Sequence, residues 1–195
     1  MSDTDDQQLV ARCRGGDKEA FAALVDRHKD KIYWLVRRIA GQAEAEDLTQ
    51  EVFLRAYVAL AQFRGEASFR TWLCRIAHNL SMTHLAKRSA RGGEESFDDE
   101  CPEDLAQGAG QPAGELELQI QQSEFNCMVH NCLDRLPAHF RSVLTLRYLN
   151  EVSYDGIAEI TGLPLGTVKA HIHRGLRRLR QLVLAEISPG KAAVR

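Results

Sequence analysis

The chain predicts an all-α fold of two small helical domains joined by a flexible acidic linker. Three observations predict it. Apolar residues recur at helical spacing toward both ends of the chain. No segment alternates with the period of a strand between turn signals. Residues 92–118 carry nine Asp/Glu and no Lys/Arg, are rich in Gly and Pro, and show no period. Such a segment repels itself and has little to bury, so it reads as a linker without fixed structure of its own. It divides the 195 residues into a domain at 1–91, the linker at 92–118, a second domain at 119–188 and a short tail at 189–195. There is no internal repeat.

The first helix is expected from Asp6 to Arg14, closed by Gly15-Gly16. The second runs from Lys18 to Ala40, carries Phe21, Leu24, Val25, Ile32, Leu35, Val36 and Ile39, and stops at Gly41. A third spans about Ala43 to Gln62, with a core stripe of Leu48, Val52, Ala56, Ala59 and Phe63. Its opposite face holds Asp47, Gln50 and Glu51, with Leu54 and Val58 among them. An apolar centre inside a charged rim suits a docking surface. Two scattered surface aliphatics would look the same.

The stretch from Phe63 to Ala67 reads as a loop, and Ser68 can cap a fourth helix reaching about Arg88. That helix is expected to bury Phe69, Trp72, Leu73, Ile76, Ala77 and Leu80. Its other face shows Arg75, His78, Asn79 and Met82, then Lys87, Arg88 and Arg91, and His78 reads as a surface imidazole. Asn79 can bond base edges and the basic end can hold phosphates. Phe63 and Phe69 could stack on an unpaired base, or serve only as core.

Residues 151–180 read as helix, Gly/Pro turn and basic second helix, the pattern of a helix-turn-helix. Ile157, Ala158 and Ile160 give the first helix an apolar face, and Thr161-Gly162 ends it. Pro164 suits the first turn of the next, where a missing N–H costs nothing. Val168, Ile172, Leu176, Leu179 and Val183 follow on one arc. Lys169, His173, Arg174 and Arg177 lie on neighbouring and opposite arcs, placed to reach base edges or phosphates. Arg178 and Arg180 come later and suit backbone contact alone.

The net charge of −2 hides this polarity. Residues 1–91 hold 15 Lys/Arg against 12 Asp/Glu, and residues 119–195 hold 10 against 6, so two basic parts flank the acidic one. The composition, 44% hydrophobic and 27% charged, is that of a soluble protein. No apolar run approaches the roughly 20 residues that cross a bilayer. The acidic start, Met-Ser-Asp-Thr-Asp-Asp, lacks the apolar core of a signal peptide, so a cytoplasmic protein is expected. Five cysteines do not suggest a disulfide framework. Cys13 and Cys74 fit helix interiors, and Cys101 sits in the acidic segment. Cys127, His130 and Cys132 raise a metal or redox question, but one helix cannot turn all three to a point, and no metal site is assigned. No phosphate loop, nucleophile elbow or paired-carboxylate pocket is present, so no catalytic residue, cofactor or small-molecule substrate is expected.

Two long motifs now carry a resemblance. Glu-Asp-Leu-Thr-Gln-Glu-Val-Phe-Leu-Arg-Ala-Tyr (46–57) and Phe-Arg-Gly-Glu-Ala-Ser-Phe-Arg-Thr-Trp-Leu-Cys-Arg-Ile-Ala-His-Asn-Leu (63–80) resemble the second conserved region of the sigma-70 family, most closely its extracytoplasmic-function (ECF) group. Leu-Pro-Ala-His-Phe-Arg-Ser-Val-Leu-Thr-Leu-Arg-Tyr (136–148), with the helix-turn-helix after it, resembles the fourth region. The resemblance implies a dissociable subunit that directs bacterial RNA polymerase to a class of promoters. It implies that Asp47, Gln50, Glu51 and Leu54 grip the clamp of the largest polymerase subunit, with the flap region meeting the fourth-region domain. The loop from Phe63 through Arg64 to Ser68, with Arg75, Asn79, Lys87 and Arg88, would capture and read the −10 element. Lys169, Ala170, His173, Arg174 and Arg177 would read the −35 element. His173 departs from the aromatic or arginine frequent at that position. An anti-sigma partner is also implied. The alternatives are a stand-alone helix-turn-helix regulator, which leaves the Asp47–Leu54 face without a purpose, and a thiol- or metal-responsive sensor.

Overall fold

A computed structural model describes residues 3–90 and 113–187, with side chains for 5–90 and 124–187. All regular structure among the described residues is helical. The N-terminal half comprises α1 (Asp3–Arg14), α2 (Lys18–Ala40), α3 (Ala45–Ala59), a 3-10 turn (Leu60–Gln62) and α4 (Phe69–Ala90). The C-terminal half comprises α5 (Ala113–Asp134), α6 (Ala138–Leu144), a π turn (Thr145–Leu149), α7 (Tyr154–Thr161) and α8 (Leu165–Ile187).

Local chemistry sets these boundaries. Asp17 caps α2 by accepting the Ala20 N–H at 3.2 Å, and Arg12 holds the Asp17 carboxylate in place. Gly41 ends α2 at φ +98, where a side chain would be strained, and its N–H closes onto the Arg37 carbonyl. Ser68 caps α4, taking the Thr71 N–H at 3.1 Å. α5 begins at Ala113, six residues inside the segment expected to be linker; residues 91–112 and the tail from 188 lie outside the described residues.

α1 is fastened by a buried carboxylate. Asp6 accepts from Arg27 at 2.8 Å and lies 2.9 Å from the His28 Nε2. Burial lowers the pKa of His28 although Asp6 pulls the other way. Trp34 meets Tyr33 edge-on, with the Arg37 guanidinium 5.0 Å from its ring centre. α2 packs against α3 and α4, burying Leu24, Ile32, Leu35, Val36 and Ile39. The stripe of α3 is as expected at Leu48, Val52 and Ala56, with Phe53 added to the core.

In the other half Arg141 turns the α5–α6 corner. It is fully buried and donates to the carbonyls of Asp134 and Leu136. The Asn150 N–H reaches back five residues to the Thr145 carbonyl and closes the π turn. On α8, Val168 and Ile172 are buried as expected, but the next buried position is Gly175, and Leu176 is exposed. A Cβ on Gly175 would lie 3.2 Å from Leu144 Cδ1 and 3.3 Å from Phe140 Cβ. α6 therefore crosses α8 at the residue with no side chain, and the apolar arc shifts to meet it.

The halves do not stand apart. α7 packs on α4, and α6 and the π turn pack on α2. Ile32 and Val36 belong to the same buried cluster as Leu146, Val152 and Ile157. His78 is buried, contrary to the surface position expected for it, and burial lowers its pKa. With α2 and α3 also against it, α4 is covered on more than one side.

Candidate functional site

Three surfaces bear on function. The first lies where α3 crosses α2. Leu54, Tyr57 and Val58 are 63%, 49% and 80% exposed, large for apolar side chains. Leu54 and Tyr57, with Phe21, Val25 and Phe53, line a groove of about 480 Å³ bordered by Lys29, Thr49 and Gln50. Phe21 meets Tyr57 edge-on at 4.9 Å, which fixes one wall. Asp47 and Gln50 are exposed beside it, and Glu51 is half-buried and pairs with Arg55 at 2.7 Å. The α3 helix thus turns Asp47, Gln50, Glu51 and Leu54 outward together.

The second surface surrounds the loop before α4. Arg64 is exposed, and Gly65 adopts φ +76, which lets the chain reverse there. Ser68 is half-buried and engaged in the cap. Phe63 and Phe69 lie in the core with Trp72 half-buried beside them, ring centres 5.1 to 5.9 Å apart. Both phenyl rings are buried, and the cluster forms the floor that holds the loop. Arg75 and Asn79 project one turn apart from α4, and Lys87 continues the row as an exposed residue, with Arg88 half-buried. Arg75 is paired with Glu159 of α7 at 3.1 Å.

The third is the helix-turn-helix. Ser153 caps α7 through the Gly156 N–H at 3.1 Å. Gly162 ends α7 at φ +70, a left-handed turn closed by its N–H on Ala158. Thr161 bonds back to Ile157, and the Pro164 carbonyl accepts the Val168 N–H at 3.0 Å to start α8. Buried Ile157, Ile160, Val168 and Ile172 fix the two helices to each other. Lys169, His173, Arg174 and Arg177 are consequently exposed along one side of α8, with Ala170 half-buried between them. His171 is turned the other way, against His139 and Phe140.

The cysteines and histidine singled out on α5 part company. His130 turns to Arg38, whereas Cys127 and Cys132 line a groove toward Glu186 of α8. Among the described residues no group of three or more His, Cys, Asp or Glu could hold a metal ion. Cys74 is fully buried, which pushes its thiol up to about 12, and burial also raises Cys13 and Cys132. No helix among the described residues is long and apolar enough to cross a membrane.

Both halves of the chain match known proteins. Residues 24–91 match Sigma-70 region 2, and residues 128–179 match Sigma-70, region 4. The chain is 39% identical over 179 residues to the RNA polymerase sigma-H factor of Pseudomonas aeruginosa, covering 89% of this chain and 91% of that one. It is 35% identical over 185 residues to the ECF RNA polymerase sigma-E factor of Haemophilus influenzae, covering 94% and 96%. The chain belongs to the ECF group of the sigma-70 family. Solved structures share the fold. CnrH in complex with the cytosolic domain of CnrY superposes with a TM-score of 0.64 at 23% identity, covering 93% of this chain and 98% of that one. The sigma factor RpoE of Bartonella quintana, bound to the anti-sigma factor NepR, gives 0.64 at 22%, covering 84% and 96%. This sigma factor directs RNA polymerase to promoters, and region 2 and region 4 are its N- and C-terminal halves.

Proposed function

We propose that the three surfaces divide the work of initiation. The α2–α3 groove, with Asp47, Gln50, Glu51 and Leu54, docks on the clamp of the largest polymerase subunit. The observation that carries this is the exposure of Leu54 and Val58 beside an open apolar groove, inside a rim of carboxylate and amide. Burying such residues on a partner recovers free energy that solvent now withholds. Region 4 meets the flap region.

Region 2 reads the −10 element. The loop from Phe63 to Ser68 frames the extruded base, Asn79 bonds its edge, and Arg64, Arg75, Lys87 and Arg88 hold phosphates. Phe63 contributes from beneath, as part of the aromatic floor. Extruding a base costs a few kcal/mol, which its capture offsets. Region 4 reads the −35 element through Lys169, Ala170, His173, Arg174 and Arg177 on α8. The protein supplies no catalytic group and needs no cofactor, because polymerase forms the phosphodiester bonds, and it works in the cytoplasm. An anti-sigma partner covers the same surfaces when the protein is held inactive.

Run-off transcription from genomic fragments with core polymerase tests the whole assignment. Wild-type protein is expected to add new start sites, and D47K/E51K to lose them together with core binding while remaining folded. Unchanged core affinity in that variant would refute the docking face.

A further inference from the structure

We infer that His139 and His171 form a two-ligand site for a divalent transition metal ion of the zinc class, one that ties α6 to the back of α8. His139 stands at the second position of α6 and His171 on α8. Their ring centres lie 5.3 Å apart, with the planes inclined by 57°. Phe140 closes the third side. Its ring centre is 4.1 Å from that of His139 and 5.6 Å from that of His171, edge-on to the latter.

Spacing is the first support. A tetrahedral zinc ion holds imidazole nitrogens about 2.0–2.1 Å away, which puts each ring centre about 3.2 Å from the ion and two ring centres about 5.2 Å apart. The observed separation matches, so neither helix has to move. His139 is exposed, so its ring can turn a nitrogen toward the gap and the ion can enter from solvent. The second support is an orphan atom. Nδ1 of His171 is buried and has no hydrogen-bond partner among the described residues. A polar atom left so is unfavourable, and a metal ion would satisfy it. Charge is the third. Burial, and then the neighbouring His171, lower the pKa of His139, so its ring is neutral at neutral pH and offers a lone pair.

The donor set selects the ion. Two imidazoles suit zinc, nickel or copper rather than magnesium or calcium. Water fills the remaining positions, which makes this an open site, unlike the closed four-ligand structural ones. Its place in the fold gives it a consequence. α6 crosses α8 at Gly175, one turn beyond His171. Lys169 and His173 are exposed on the opposite side of α8. A bound ion therefore braces the helix-turn-helix from behind and leaves that outer side uncovered. The pair is separate from the cysteines of α5, where Cys127 and Cys132 line the groove toward Glu186.

Zinc titrated into the reduced full-length protein at neutral pH, followed by calorimetry, tests the site. Wild type is expected to bind an ion that H139Q holds about tenfold more weakly, because the second arm of a chelate acts at high effective concentration. H171Q should lose as much, and H139Q/H171Q little more than either, since a single imidazole cannot chelate. H173Q, changed at an exposed histidine of the same helix, should bind as wild type does. Cobalt in place of zinc separates imidazole from thiol: nitrogen ligation gives visible bands without the near-ultraviolet charge-transfer band of a thiolate. An ion held by the folded chain alone raises its stability, so about a tenfold excess over Kd should raise Tm by about 3–5 °C in wild type and not in H139Q. Circular dichroism checks that H139Q, altered at an exposed position, keeps its fold. Unchanged affinity in H139Q, an equal loss in H173Q, a thiolate cobalt spectrum that H139Q leaves intact, or the same Tm response in both proteins overturns the site and leaves an adventitious ion only.

Discussion

Acid should weaken the seam between the halves at one imidazole. His130 sits on α5 with its ring nitrogen against the Arg38 guanidinium, which it can meet as an acceptor only when neutral. Arg38 and Arg37 face it from α2, and Asp134 lies one turn on along α5, itself held by Arg38. Burial first, then the charges of Arg38 and Arg37, push its pKa from 6.5 down to about 4. The unfolded chain binds this proton near 6.5, so the folded protein carries fewer protons between those values. The stability supplied is complete above the unfolded value and is lost as pH falls toward the folded one. With these two values, going from about pH 7.5 to about pH 5 removes about 2 kcal/mol, and half-burial trims this to between about 1 and 2. Urea unfolding followed by circular dichroism at both pH values measures it, in wild type and in H130Q. Glutamine keeps an acceptor for Arg38 but takes no proton. Burial also lowers His28, His78 and His139, so both proteins lose stability in acid. The wild type is expected to lose 1–2 kcal/mol more, by the same reckoning. Equal losses would refute the reasoning.

Other predictions follow from single positions. G162A forces a side chain into the left-handed turn between α7 and α8 and should cost about 1 kcal/mol, lowering Tm by about 2–4 °C; an unchanged Tm would mean the turn is made otherwise. G175L overfills the α6–α8 crossing and should cost about 1–3 kcal/mol in urea unfolding, with −35 duplex affinity falling in step. L54A removes the exposed centre of the groove face. It should weaken core polymerase binding about five- to tenfold, read by fluorescence anisotropy, while stability stays within about 0.5 kcal/mol.

What could be read in the sequence was mostly local. Lys18–Ala40 follows from its apolar stripe and Gly41, and the α4 start follows from Ser68, because caps and periodicity act within a turn or two. The outward face of α3 was legible for the same reason: a strong core stripe on one side leaves Leu54 and Val58 stranded on the other. The misses share a different cause. Arg38 and Asp6 are charged residues in the interior, and only partners distant in sequence make that tolerable. Gly175 was misplaced because α6, approaching from elsewhere in the chain, decides which side of α8 is covered, and His78 lies on a helix that α2, α3 and α7 all pack against. Phe63 and Phe69 could be read as core or as stacking on a base; their packing with Trp72 is tertiary, and it buries both rings.

Both indoles, Trp34 and Trp72, belong to the first half of the chain, and the second half has none. Trp72 shares its aromatic cluster with Phe63, at the edge of the loop that leads into α4. Indole emission, excited at wavelengths that Tyr148 and Tyr154 of the second half do not absorb, is therefore an unlabelled optical gauge of that end alone. Mixed rapidly with an opened promoter bubble, the protein should report nucleotide insertion in real time, with no dye and no spectral background from the other end.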